Sequence, residues 1–133
     1  MVETLYSDEG VCTIRWDGQI DAVVVEWEGD IGGEDYRRGL DRALEAIRER
    51  DASKLLTDSQ AQGLMAEADK TWTIEDWVPR AKSTGLEYVA VVYPADQSAR
   101  VTVDMMAREQ PYTDLERLFT DDWSEARDWI GTK

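Results

Sequence analysis

The hydrophobic period of the chain changes at residue 33, and the pattern beyond that point constrains the fold more than any other feature. From there on, segments of helical period alternate with short apolar runs. In "GEDYRRGLDRALEAIRER", Tyr36, Leu40, Leu44 and Ile47 recur at helical spacing with charge elsewhere. Glu34 and Asp35 suit the positive end of such a helix, Arg48 and Arg50 its negative end. "SKLLTDS" then reads as a short strand, "AQGLMAEAD" as a loop or weak turn, and "LEYVAVVYP" as a buried central strand that Pro94 ends. Ala99, Val103 and Met106 mark another helix, "PYTD" a turn and "LERLF" a strand. "TDDWSEARDWI" closes the chain as a helix with Trp123, Ala126 and Ile130 inward, capped by Thr120 or Asp121. Strands that alternate with helices need crossover connections, which implies parallel pairing of right-handed topology.

The first 28 residues differ. "VETLY" and "VCTIRW" are strand-like runs separated by "SDEG", Asp17-Gly18 signals a hairpin, and "AVVVEW" alternates. They predict an antiparallel meander. The whole chain then reads as one α/β domain over residues 1–133, in the order βββαβαβαβα, with a mixed sheet and helices mainly on one side.

"KTWTIEDWVPR" conflicts with itself. Ile74, Val78 and Ala81 lie on one helical face, but Pro79 has no N–H to donate and biases Val78 away from the helix. A kink at Pro79, or two short helices with Pro79 opening the second, is expected, with Gly85 as the stop. On a straight helix Trp72 and Trp77 project roughly 140° apart, so both cannot face one core. Trp77 joins Ala81 on the buried side. Trp72 is either packing or the wall of a pocket.

Charge bounds the partners. The chain carries 29 Asp plus Glu against 15 Lys plus Arg, a net charge of -14. Lys supplies only four of the basic residues (54, 70, 82 and 133). Such a surface repels nucleic acid and anionic membranes. The acids are spread along the chain, which fits a halophilic, archaeal source whose salt screens them over about 3 Å at 1 M. No apolar run is long enough to cross a membrane and no basic leader opens the chain, so a cytoplasmic location is expected.

Chemistry is sparse. Histidine is absent, which removes the commonest general base and most zinc sites. Cys12 is the single cysteine; alternation with Ile14 and Trp16 points it inward. Gly29, Gly32 and Gly33 fit no phosphate-loop spacing and read as turn formers. Asp58 follows an apolar strand at the carboxyl end of the sheet, where open α/β sheets bind ligands; the alternative is a turn cap. Arg80 pairs with Asp76 four residues earlier or holds an anionic group. Asp58, Trp72 and Arg80 are the candidate ligand-binding residues. No catalytic residue, cofactor or metal site is assigned.

The succession of elements, with "LLTD", "WVPRAKSTGLEYVAVV" and "F.DDWSEARDWI", resembles the STAS-type fold across about residues 20–131. That is the fold of bacterial anti-anti-sigma factors, similar to small lipid-transfer domains of the CRAL-TRIO type, and the likeness is greatest to uncharacterised stand-alone STAS-like proteins. The resemblance implies a four- to six-stranded sheet and a non-enzymatic protein-interaction or ligand-binding module. It also implies a phosphorylatable serine beside an aspartate. Asp58-Ser59 is the matching pair, although it sits at the end of a strand and "QAQGL" replaces the family's small residues. The expected partner is another protein or a second copy of the chain. The alternative is a carrier or sensor whose lipid-like or anionic ligand lies between the sheet and the 72–81 helix.

Overall fold

The computed structural model describes residues 2–109 and 115–133. Its centre is a six-stranded sheet in the order β1-β2-β3-β4-β5-β6. β1 (Val2–Asp8), β2 (Cys12–Asp17) and β3 (Ala22–Ile31) form the antiparallel meander. β4 (Lys54–Met65), β5 (Tyr88–Val92) and β6 (Glu116–Thr120) continue it in parallel. Each parallel step is bridged by helix: α1 (Gly33–Glu49), then α2 (Glu67–Trp72) running into α3 (Val78–Ser83), then α4 (Gln97–Glu109); α5 (Trp123–Gly131) follows β6. The mixed α/β architecture expected from the alternation is the observed one. The turn expected at "PYTD" lies outside the described residues.

Strand alternation divides the core. Ile14, Val23, Val25 and Leu55 face the layer of α1 and α3, where they meet Leu44, Ile47 and Trp77. Ala22, Val24, Leu56 and Ala90 face α5 through Ala126 and Ile130. Full burial of each valine, leucine or isoleucine among them contributes about 1.5–3 kcal/mol. Gly39 lets α1 lie close on the sheet: a β-carbon there would stand 2.9 Å from the Trp27 ring and 3.0 Å from Cys12 Sγ.

Three expectations need correction. β4 does not end at Ser59 but runs to Met65, because β3 also runs on, to Ile31, and offers it a partner (Gly29 opposite Gln62, Ile31 opposite Met65). The stretch "AQGLMAEAD" is therefore strand and helix start rather than loop, and Asp58-Ser59 is in mid-strand. Second, the α5 cap is Asp122, whose carboxylate accepts from Ser124 N at 2.8 Å and Glu125 N at 3.3 Å. Third, Val78 stays helical (φ -60°, ψ -43°) despite the following proline.

The chain accommodates Pro79 one turn earlier. Residues Thr73–Trp77 adopt a π-helix between α2 and α3, and the Val78 N–H bonds to Thr73 O, five residues back. A proline ring crowds the carbonyl four residues before it, and widening the preceding turn relieves that contact. The wider turn has a second effect. Residues five apart now lie near one turn of each other, so Trp72 and Trp77 both reach the same core.

Candidate functional site

Two features sit where the helical layer meets the parallel strands. One is a surface cluster around Trp72. Tyr36 meets its ring edge-on with centroids 6.4 Å apart. The Arg37 and Arg80 guanidinium carbons lie 5.1 Å and 5.7 Å from its centroid, within cation–π range. Each arginine is held by carboxylates. Arg37 Nε donates to Asp69 at 3.2 Å. Arg80 donates to Asp76, as its spacing predicts, and also to Asp41, both at 2.9 Å. Burial pulls the Arg80 pKa down, but Asp41 and Asp76 outweigh it and hold the group above its ordinary value. Asp69, 2% exposed, also accepts from Gly33 N at 2.9 Å. Gly32 has no side chain to cap α1, so Asp69 caps it from 36 residues away.

The other feature is a cavity of about 110 Å³ between strands β4–β6 and the π-helix with α4. Its floor includes Leu55, Val89, Val91 and Phe119; Ile74, Trp77, Val103 and Met106 cover it. The polar groups of the cover are satisfied internally. Thr73 Oγ1 donates to Asp69 O at 2.8 Å, so Tyr36 Oη, 2.7 Å away, donates to Thr73. Burial raises the Tyr36 pKa well above its ordinary range, which keeps the phenol a neutral donor. Trp77 Nε1 donates to Leu40 O at 2.8 Å.

The strand side is different. Two β-bulges in β4 insert extra residues opposite β3, between Asp58 and Ala61 and again between Gln62 and Met65. The bulges reset the alternation, so Ser59, Gln62 and Met65, at intervals of three, all line the cavity. Ser59 is 2% and Gln62 3% exposed. The Gln62 side-chain nitrogen is buried and finds no hydrogen-bond acceptor among the described residues. Arg117 is at the same cavity, its guanidinium donating to Ala107 O at 3.2 Å, and burial lowers its pKa below the ordinary value.

Of the sequence-derived candidates, Trp72 and Arg80 are brought together, beside the helix that walls the cavity rather than in its lining. Asp58 occupies the strand position between Thr57 and Ser59, both of which line the cavity, and its own carboxylate accepts from Gln60 N at 3.0 Å and Gln60 Nε2 at 3.1 Å. Ser59 faces the cavity, so its modification needs β4 or its cover to move. Gln62 is not among the sequence-derived candidates: a polar residue in a stretch without alternation carries no strand signal. Among the described residues no cluster of three or more His, Cys, Asp or Glu side chains could hold a metal ion, and no helix is long and apolar enough to cross a membrane.

No family model matches the chain, and no curated protein matches it. Solved structures do. An uncharacterized protein of the DUF3478 family with a SpoIIAA-like fold, from Shewanella loihica, is 14% identical with a TM-score of 0.53, over 98% of this chain and 92% of its own. An anti-sigma factor antagonist from Mycobacterium paratuberculosis is 12% identical with a TM-score of 0.50, over 98% of this chain and 94% of its own. At these identities the likeness is one of fold: the chain has the SpoIIAA-like, STAS-type arrangement along nearly its full length.

Proposed function

We propose that this protein is a non-enzymatic regulatory module that acts by binding a partner protein, in the cytoplasm of a halophilic microbe. The observation that carries the reading is the fold, which extends over 98% of the chain and is shared with an anti-sigma factor antagonist. The surface supports it. The outer side of α4 presents Val101 and Met105 one turn apart, 59% and 40% exposed, on a chain of net charge -14. A partner with an apolar patch rimmed by basic residues would complement that face.

The test is native mass spectrometry of the protein purified in concentrated salt from its own cells. A heteromer of fixed stoichiometry is expected, lost in Val101→Asp while the melting curve is unchanged. A homodimer would shift the interface to the exposed edge strand β1. Turnover of a substrate by the purified chain would overturn the reading. Its halophilic part predicts a melting temperature that rises between about 0.1 M and about 3 M KCl, as salt screens the carboxylates.

A second reading, a small-ligand carrier or sensor, is favoured by the cavity. On that reading the ligand lies against Ser59 and Gln62, and Trp72 and Arg80 steady the helix that walls it.

A further inference from the structure

Resting on that second reading, we propose that the cavity binds an uncharged, ring-sized molecule that presents a carbonyl or similar acceptor to the Gln62 carboxamide. Three observations converge. The first is the orphan donor. A buried amide N–H without a partner has lost its hydration with nothing in exchange, and Gln62 leaves its Nε2 in that state at 3% exposure. The neighbouring Tyr36 and Thr73 hydroxyls bond each other and Asp69 O, Trp77 Nε1 can only donate, and none of the three partners Gln62 Nε2. A ligand acceptor would complete the pairing.

The second observation is size. The cavity holds about 110 Å³. Benzene occupies an engineered apolar cavity of about 150 Å³, so a single small ring is the right scale for the group that it encloses. Half-buried Ile74, Met106 and Phe119 in the lining leave it reachable from solvent.

The third is charge. No carboxylate lines the cavity among the described residues, so a cation would enter uncompensated. An anion must approach a chain of net charge -14. The guanidinium of Arg117 is directed at the Ala107 carbonyl. A neutral ring with one acceptor avoids both penalties.

The experiment titrates ¹⁵N-labelled protein with cyclohexanone, with methylenecyclohexane, its near-isostere without the oxygen, and with cyclohexanecarboxylate. Dissociation constants of about 1 mM are in reach of so small a ring. The expected result is that the ketone binds about fivefold more tightly than the hydrocarbon, the worth of one net hydrogen bond, and shifts the Gln62 side-chain NH₂ resonances. Gln62→Leu and Gln62→Met should erase that preference. The NH₂ shift in the wild type decides the matter should both variants fail to fold. Equal binding of ketone and hydrocarbon, or tighter binding of the carboxylate, overturns the assignment to Gln62 while leaving a ligand cavity in place. No binding by any of the three overturns the carrier reading with it.

Discussion

The face of the sheet covered by α1, the π-helix and α4 has two halves. Beneath α1, the strand residues Ile14, Val23 and Val25 are 0–1% exposed and meet Leu44 and Ile47, at 2% and 0%. Beneath the π-helix and α4, the strand residues Val89, Val91 and Phe119 stay half-buried and a cavity remains. Both halves are apolar, so hydrophobicity does not separate them. The covering side chains do. The inward stripe of α1 puts Leu44 and Ile47 over the packed half and Tyr36 and Leu40 at the edge of the cavity, whereas α4 turns only Ala99 and Val103 inward and the π-helix contributes Thr73 and Trp77. Alternation puts Ser59, and the β4 bulges put Gln62, where a close-packed core would hold an aliphatic residue. One half is built for stability, and the other keeps space at the expense of contacts.

The contrast is testable by truncation. Leu44→Ala should cost about 2–5 kcal/mol, as cavity-forming changes in a close-packed site do. Val91→Ala opens a site that is already open and should cost about 1 kcal/mol or less. Urea unfolding of both variants measures the difference; equal losses would mean that the cavity half is as tightly packed as the other.

Enlargement should show the same order with a smaller effect. Gly39→Ala drives a methyl to 2.9 Å from the Trp27 ring. Overpacking of about 1–3 kcal/mol is partly offset by the better helix propensity of alanine, leaving a net loss of about 1 kcal/mol. Val91→Ile adds a carbon toward empty space and should lie within about 0.5 kcal/mol of the wild type. If the two variants cost the same, local packing does not distinguish the halves.

The smallest effect concerns how well the packed half excludes solvent. Burial, with Asp8 and Glu28 nearby, raises the Cys12 thiol from 9.0 to about 11. The folded state thus favours the neutral thiol. Its contribution is complete below pH 9.0 and is lost as pH climbs from 9.0 through about 11. The denaturation midpoint of the wild type should fall across that window more steeply than that of Cys12→Ala. Parallel curves would show that water reaches the thiol.

Much of the fold is readable in the sequence because it rests on local period. The α1 stripe, the β5 run and the inward Ala126 and Ile130 of α5 each follow from spacing, and their succession gives the order of elements along the chain. Arg80 pairs with Asp76 because four residues make one helical turn. What escapes the sequence depends on distant strands and helices. β4 extends to Met65 because β3 supplies its partner, and the bulges that turn Gln62 inward exist only within that pairing. Asp69 caps a helix 36 residues away. The π-turn that reconciles Trp72 with Trp77 answers a steric demand of Pro79 inside a helix that the core holds together. Period is a property of the chain alone, so the sequence determined the elements and their order. Register and cavity arise from contacts between segments, so only the tertiary structure could decide where the space is and which donor it leaves unpaired.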